Sequence, residues 1–311
     1  MDDPESLFEL SPDAESVPAG LPLVAGLTGF ADAGAAVTQT IDYLLETCDP
    51  VIIAKFENDL LLDYRARRPT IYFDQDHLES YSPPVLALYL AKDAIGQPFL
   101  LLAGYEPDFR WEGFNTAVLS LISKFSVKST TWVHAIPMPV PHTRPIGVTV
   151  SGNRSELIET YSVWRPHTQV LANALHLFEF RLQESDHPIV GFVLLVPHYL
   201  SDTEFPDAGI KSLDSIATAT GLVFALDEIQ EESREFIEKL DKQVEGNPEL
   251  AKLVATLEER HDSYMAGNPL RSQLISEDGK LPTADEIAAE LEIFLALQRN
   301  GDEETGTTNP E

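Results

Sequence analysis

Short apolar segments that end at glycine or proline alternate along this chain with segments whose apolar residues recur at helical spacing. The apolar run 21–29 comes first, the helical segment 31–48 follows it, and the apolar run 51–56 comes next. Strands and helices that alternate in this way are typical of a layered α/β fold with parallel strand pairs. The pattern therefore predicts an α/β core.

The same spacing predicts the remaining elements of this core. Strands are expected over 98–106, 130–138, 146–152 and 188–199, with a last short strand at 221–226. Helices are expected over 84–95, 111–125, 155–182 in two pieces, and 206–220. After Asp227, two amphipathic segments separated by a Gly-Asn-Pro break predict a helical hairpin.

The sequence pattern divides the chain into four parts. A capping box that begins at Thr283 predicts one more helix, and the polar composition of the last residues is typical of disorder. The predicted parts are a flexible acidic N-terminus (1–20), an α/β core domain (21–226), a helical hairpin plus C-terminal helix (227–300), and a disordered tail (301–311).

The charge of the chain limits its partners. Its 51 acidic and 21 basic residues give a formal net charge of -30. A field of that sign repels nucleic-acid phosphates and anionic membrane surfaces, so neither partner is expected. A basic protein would be attracted, and the expected contact is the acidic helical hairpin, which carries Glu228, Glu231, Glu232, Glu235 and Glu238. The alternative, which we favour, is that the charge mainly maintains solubility.

The sequence contains no pattern typical of secretion or of a membrane span. The N-terminus lacks the basic and apolar regions of a signal peptide, and no apolar run approaches the ~18 residues of a spanning helix. The single cysteine, Cys48, allows neither an intrachain disulfide nor a cysteine-based zinc cluster. We therefore expect a cytoplasmic protein in which Cys48 is a buried structural thiol.

The turn after the strand 21–29 is the first candidate site. Glycines flank Asp32 between a strand and a helix, where backbone N–H groups can face an anion. The spacing matches neither a P-loop nor a dinucleotide fingerprint. The alternative, which we favour, is a tight turn in which the Asp32 carboxylate caps the helix.

A charged and aromatic cluster follows the strand 98–106, at the kind of strand end where α/β proteins often build sites. Asp108, Arg110 and Trp111 are its candidate residues for binding a ligand or a partner. The structural alternative is that Asp108 caps the following helix and Arg110 pairs with Glu106.

Three further candidates are His142, Arg144 and His198. The first two belong to a proline-rich segment, whose fixed geometry lowers the entropy lost when a surface is presented to a partner. His142 and Arg144 are candidates for binding an anion, and His198 is a candidate general base. A metal site shared by His142 and His198 matches no zinc spacing, and structural roles are the alternative.

No catalytic motif accompanies these candidates. The sequence has no P-loop, no G-x-S-x-G and no H-E-x-x-H. We therefore expect no cofactor and no resident metal, and we expect binding rather than catalysis. Catalysis stays open as an alternative because a catalytic triad is defined by geometry and not by spacing.

Several strings together resemble the proteasome assembly chaperone 2 family in its bacterial branch. They are GFADAG (29–34), RRPTIY (67–72), EPDFRWEGF (106–114), HAIPMPVPHTRP (134–145) and VPHY (196–199), together with the glutamate-rich helical hairpin. The EPDFRWEGF and IPMPVPHTRP strings are specific, whereas the glycine-rich turn alone is a weak signal. The resemblance covers roughly residues 21–265.

This resemblance implies a three-layer α/β/α core similar to that of nucleoside phosphorylases and peptidyl-type hydrolases, and it implies self-association. Eukaryotic relatives act as chaperones of proteasome α-ring assembly. Some archaeal relatives carry a C-terminal tail for docking, with a hydrophobic residue, a tyrosine and any last residue. The sequence printed here ends Thr-Asn-Pro-Glu and does not match that tail.

Two hypotheses of different class follow. The leading one is a non-catalytic oligomeric scaffold or assembly-chaperone-like protein, with a homotrimer as the expected assembly. The rival is an enzyme or small-molecule binder of the phosphorylase/hydrolase class, with a crevice at the C-terminal ends of the strands. The rival requires the candidate residues to converge, with Arg110 and Arg144 binding an anion and His198 serving as the acid–base group.

Overall fold

The computed structural model describes residues 4–266 and has an eight-stranded mixed β-sheet at its centre. The strands are β1 (Phe8–Leu10), β2 (Pro22–Thr28), β3 (Val51–Phe56), β4 (Thr70–Asp74), β5 (His77–Ser82), β6 (Ala87–Lys92), β7 (Pro98–Tyr105), β8 (Ser129–Met138), β9 (Gly147–Gly152) and β10 (Ile189–Pro197). The large sheet has the order β1-β3-β6-β7-β2-β8-β10-β9. Its four central strands β7, β2, β8 and β10 are parallel, and the outer strands are antiparallel to their neighbours.

Helices cover both faces of this sheet. They are α1 (Ala36–Thr47), α2 (Asn58–Leu61), α3 (Trp111–Lys124), α4 (Ser155–Tyr161), α5 (Ala174–Glu184), α6 (Pro206–Thr220), α7 (Asp227–Glu245) and α8 (Pro248–Ala266). Adjacent residues of a strand point to opposite faces of the sheet and pack in different cores. Leu23 and Trp132 lie in the core beneath α3 and α5. Val24 and Val133 lie in the core beneath α1 and α6. The expected three-layer α/β/α architecture is confirmed.

The expected helical hairpin is formed by α7 and α8. Between the two helices, the side-chain oxygen of Asn247 accepts hydrogen bonds from the N–H groups of Glu249 and Leu250 at 3.1 and 3.2 Å. Leu240 of α7 is buried in the same core as α1 and α6. Residues up to Glu259 belong to one compact unit, and residues 260–266 are the described part of a second unit.

Two secondary-structure predictions are wrong. The segment 84–95, expected as a helix, contains strand β6, because its apolar residues are buried in a row between β3 and β7. Pairing within the sheet thus overrides the helix propensity of its leucines and alanines. Residues 221–226 form no strand, and the N–H of Val223 donates to the Asp93 carboxylate at 2.9 Å instead of to a neighbouring strand.

The structure also differs from the expected flexible N-terminus over residues 4–20. Leu7 is 2% exposed in the core beneath α3, and β1 pairs with the edge strand β3. The Ser11 hydroxyl donates to the carbonyl of Ile52 at 2.7 Å. Because this segment is mostly acidic, its short apolar stretch gave no clear signal in the sequence. That stretch pairs with β3, whose backbone groups would otherwise lack partners on that side.

Some predictions fall outside the described residues. The helix expected after Thr283 and the tail 301–311 are among them, so both stay predictions. Within residues 4–266, no helix is both long and apolar enough to cross a membrane.

A two-stranded hairpin formed by β4 and β5 is not predicted by the sequence pattern. We call residues 70–82 the arm. Every residue of the arm's second strand is exposed, and Phe73 pairs directly with Leu78 across the hairpin. The arm therefore contributes no buried side chain to either core of the large sheet.

Candidate functional site

The Asp32 carboxylate binds the first turn of α1. It accepts hydrogen bonds from the N–H groups of Val37 and Thr38 at 2.8 and 2.9 Å, and from the Thr38 hydroxyl at 2.8 Å. These N–H groups have no partner within the helix, and a carboxylate is also favoured there by the helix dipole. The helix-capping interpretation of Asp32 therefore matches this geometry.

Asp108 follows β7 and binds Arg67, which was not among the predicted site residues. Its carboxylate forms an ion pair with Arg67 at 3.1 Å and accepts the N–H of Asp63 at 2.7 Å. The Arg67 side chain is 13% exposed in this position. Asp108 therefore anchors the segment that leads into the arm, and it does not cap α3.

Arg67 fills the space at the C-terminal ends of β2 and β7. Its guanidinium lies over the ring of Tyr105 at 5.2 Å and donates to the carbonyl of Glu106 at 3.3 Å. A Cβ on Gly29 would approach the guanidinium to 2.5 Å, and Gly29 also has a φ of 105°. Only glycine fits this turn without displacing Arg67.

The location of Arg67 has a topological reason. The helix that follows β2 covers one face of the sheet, whereas the helix that follows β7, the neighbouring strand, covers the other face. In open α/β sheets, a crevice opens at the carboxyl ends of two such strands and commonly binds ligands. Here the side chains of Arg67 and Tyr105 occupy that position.

Arg110 and Trp111 begin α3 next to this crevice. Arg110 is exposed and has left-handed backbone angles, with φ 58° and ψ 39°. The indole N–H of Trp111 donates to the carbonyl of Pro107 at 2.6 Å. Trp111 therefore holds the turn before α3 in place, and the residue that approaches Glu106 is Arg67.

Glu106 connects this crevice to the start of α5. Its buried carboxylate accepts the N–H of Ala174 at 2.6 Å, in the first turn of α5. Burial raises the pKa of Glu106, and the Ala174 N–H and the charge of Arg67 act in the opposite direction. Asn173 completes the start of α5 through reciprocal hydrogen bonds with His176 at 2.8 and 3.1 Å.

His134 lies beside this helix start, on β8. It is 4% exposed, its ring is stacked on Phe30 at 5.8 Å, and it meets the edge of His176 at 6.1 Å. Burial, with the nearby His176 as a second cause, lowers the pKa of His134 to about 4. His134 is therefore a neutral imidazole at pH 7, covered by a phenylalanine that is 38% exposed.

His142 and Arg144 attach the proline-rich segment (137–145) to the helical hairpin. The Tyr199 hydroxyl accepts the backbone N–H of His142 at 2.7 Å and lies within hydrogen-bond distance of its Nδ1, at 2.6 Å. The other ring nitrogen faces Asp241 of α7 at 3.3 Å. Arg144 pairs with Glu258 of α8 at 3.1 Å. Both side chains therefore have binding partners within the chain itself.

His198 is exposed at the end of β10, and its ring meets the edge of Tyr199 at 5.5 Å. His142 contacts the same tyrosine, with ring centroids 5.8 Å apart. Within residues 4–266, however, the His, Cys, Asp and Glu side chains close enough to hold a metal ion are three residues of the arm, and neither histidine is among them.

The predicted site residues thus fall into three groups with different partners. Asp32 binds α1, Asp108 binds Arg67 at the crevice, and His142 with Arg144 binds the helical hairpin. Sequence reasoning missed Arg67 in the crevice and His176 beside His134. Arg67 is distant in sequence from Asp108, and His176 is distant in sequence from His134. The RRPTIY string contains Arg67.

An acidic groove of about 650 Å³ lies between α1 and the start of α7. Burial, together with Glu46 and Glu204, raises the pKa of Asp42 in this groove. The acidic side chains that line the groove are those of Asp42, Glu46, Glu204, Asp227, Glu228 and Glu232.

The model of the PAC2 family matches residues 26–244. This chain belongs to the PAC2 family. The matched range contains every candidate residue discussed above, and it ends before α8. The comparison with curated proteins gives no match.

Solved structures of similar proteins agree with this membership. A Mycobacterium tuberculosis protein of unknown function is 39% identical, with a TM-score of 0.77, and the alignment covers 84% of this chain and 90% of that one. A Corynebacterium glutamicum protein of unknown function is 34% identical, with a TM-score of 0.79 and coverage of 84% and 98%. A proteasome-assembly chaperone homologue from M. tuberculosis shares the fold at 22% identity, with a TM-score of 0.69 and coverage of 75% and 100%.

Proposed function

We propose that this PAC2-family protein is a self-associating scaffold or assembly-chaperone-like protein that acts in the cytoplasm through protein–protein contacts rather than through catalysis. The observation that carries the proposal is the arm. Five large apolar or aromatic side chains of the arm are between 49% and 62% exposed, namely Ile71, Tyr72, Phe73, Leu78 and Tyr81.

The exposed area of the arm is large enough for a protein contact. At about 200 Å² for a large side chain, these exposed fractions amount to about 600 Å². A stable interface of standard size buries about 800 Å² on each partner. Tyr72 lies on the face opposite Phe73 and Leu78, so a partner that contacts both faces of the arm would bury most of that area. An isolated two-stranded hairpin is also only marginally stable in water, and a partner that covers the arm would stabilise it.

The partner we propose for the arm is a neighbouring copy of the same chain. Arg65 and Arg68 are exposed directly before the arm, in a chain whose net charge is -30. Any second copy presents a strongly acidic surface to these two cations. A head-to-tail contact of this kind closes into a ring, and we propose a homotrimer as the ring.

The chaperone-like part of the proposal is motivated by a structural neighbour. That neighbour is described as a proteasome-assembly chaperone homologue and shares the fold at 22% identity. The acidic groove is the contact that we propose for a basic partner protein, and such binding is expected to weaken as salt is raised.

A second candidate function is a small-molecule binder or enzyme of the phosphorylase/hydrolase class. The observation that favours it is the group of Glu106, His134 and His176 around the start of α5, with burial raising the pKa of the carboxyl and lowering the pKa of both imidazoles. Perturbed groups of this kind cluster at functional sites, but buried structural networks perturb pKa values as well.

The test of the leading proposal is light scattering coupled to size-exclusion chromatography at low and high salt. The wild-type chain is expected to elute as a stable small oligomer at both salts. The double variant Phe73→Ser/Leu78→Ser removes a directly paired apolar contact of the arm and is expected to raise the dissociation constant at least about 100-fold, as is typical of central interface residues.

The matched control is Ile95→Ser, which removes another side chain that is 66% exposed, in the turn between β6 and β7. It is expected to leave the oligomer intact. A monomeric wild-type chain at micromolar concentration, or a double variant that assembles like the control, would contradict the proposal. Circular dichroism of both variants checks that the fold is unchanged.

A further inference from the structure

The face of the arm that carries Tyr72 also brings one histidine and two carboxylates together. Asp74 pairs directly with His77 across the two-residue turn, and Glu79 lies two residues further along the second strand. Side chains alternate between the two faces of a strand, so Asp74, His77 and Glu79 share one face. Phe73 and Leu78, the apolar pair, lie on the other face.

The potential ligand atoms of these three residues are already close. They all lie within 4.8 Å of one another, and the Nε2 atom of His77 is 3.0 Å from a carboxylate oxygen of Glu79. Tetrahedral metal ligands at about 2.0–2.2 Å from the ion are separated by about 3.3–3.5 Å. Small rotations of exposed side chains are sufficient to reach that spacing.

A fourth residue orients the histidine. The Nδ1 atom of His77 lies 3.0 Å from a carboxylate oxygen of Asp76, which is outside the group of three. A histidine that binds a metal through one ring nitrogen commonly donates the N–H of the other to a carboxylate. In the neutral imidazole this arrangement leaves the Nε2 lone pair facing Glu79.

We propose that Asp74, His77 and Glu79 form a binding site for a divalent transition-metal ion such as Zn²⁺. The imidazole nitrogen favours zinc and its neighbours over magnesium or calcium, which prefer oxygen ligands alone. Water or a group of a bound partner completes the coordination at the exposed side. The site does not depend on self-association, because all three ligands belong to one arm.

The imidazole binds a metal ion in its neutral form, through the lone pair of one ring nitrogen. Asp74, Asp76 and Glu79 are charged groups close to this imidazole.

The bound ion has a structural consequence for the arm. It would link the two strands at the turn, on the face opposite Phe73 and Leu78. A link between strands lowers the freedom of a hairpin that is only marginally stable alone. Zinc is therefore expected to slow amide hydrogen exchange within residues 70–82.

The experiment is calorimetric titration of the full chain, free of any purification tag, with ZnCl₂ and separately with MgCl₂. One zinc ion per chain is expected, with no comparable binding of magnesium. His77→Gln is expected to lower the zinc affinity at least about 100-fold and Asp76→Asn about 10-fold, the range typical of residues that orient a metal ligand. His167→Gln, at another exposed histidine, is the matched control and is expected to bind zinc like the wild type.

Hydrogen exchange with and without zinc locates the binding site. Slower exchange in the arm of the wild type, absent in His77→Gln, supports the assignment. The proposal is overturned if His77→Gln retains zinc affinity within about twofold, or if magnesium binds the same residues as tightly. All of these side chains are exposed or half-buried, so the variants are expected to fold normally, and these readouts are independent of the oligomeric state.

Discussion

The buried His134 makes the stability of this protein depend on pH in a way that can be calculated. An imidazole in water has a pKa near 6.5, and in the folded chain burial lowers that value to about 4. Between these two pH values the unfolded chain binds a proton that the folded chain excludes. The contribution to stability is therefore complete above pH 6.5 and is lost progressively as the pH falls to about 4.

The difference between the pKa of 6.5 in the unfolded chain and the pKa of about 4 in the folded chain corresponds to about 3 kcal/mol of unfolding free energy, since one pKa unit is equivalent to about 1.4 kcal/mol. The informative variant is His134→Phe, which removes the titrating group and keeps an aromatic ring stacked on Phe30. Urea unfolding of both proteins between pH 7 and pH 4 gives the two free energies at each pH. The wild type is expected to lose about 3 kcal/mol more than the variant over this range.

Other buried groups titrate in both proteins, so their contributions to the pH dependence of the unfolding free energy cancel in the comparison. Burial lowers the pKa of His176 and His187 and raises the pKa of Glu106 and Glu179. An exposed histidine, replaced in His167→Phe, serves as the control and is expected to follow the wild-type curve. Parallel curves for the wild type and His134→Phe would refute the reasoning.

Two further predictions concern single hydrogen-bonding groups. Tyr199→Phe leaves the buried N–H of His142 without an acceptor, which is expected to cost about 2–3 kcal/mol of stability and to lower the melting temperature by about 4–8 °C. The control, Tyr161→Phe at an exposed tyrosine, is expected to have little effect. Equal melting temperatures for the two variants would contradict the role of the Tyr199 hydroxyl. Asp32→Ala removes the cap of α1 and is expected to lower the free energy of unfolding by about 1–2 kcal/mol in urea, with Asp32→Asn losing less; an unchanged stability of the alanine variant would exclude the capping role.

The difference between the correct and the wrong secondary-structure predictions has a physical explanation. The segment 111–125 has apolar residues at helical spacing, and the helix packs with one face on the sheet, so periodicity identified it. Residues 86–89, at the centre of the segment 84–95, are all buried where β6 lies between two strands, and the leucines and alanines there carry no period that separates a strand from a helix. The arm lacked a periodic signal for the opposite reason, since neither of its faces is buried by residues 4–266.

The candidate site was predictable only in part. Polar residues after buried strands marked Asp32, Asp108 and His142 as candidate site residues, since strand ends place side chains at one edge of a sheet. The identity of the partners did not follow. Asp108 binds Arg67, which lies 41 residues earlier in the sequence, and His142 binds Tyr199, which lies 57 residues later.

By itself, the sequence determined the layered α/β architecture, the helical hairpin and the family resemblance, because local periodicity and specific strings record them directly. The tertiary structure alone decided the strand order, the conversion of 84–95 into β6, and the position of Arg67 in the crevice between β2 and β7. It also decided that the arm has no cover from residues 4–266 and that Asp74, His77 and Glu79 share one of its faces. Such features depend on which distant segments pair and pack, and the free energy of those contacts outweighs the local preferences that a sequence pattern displays.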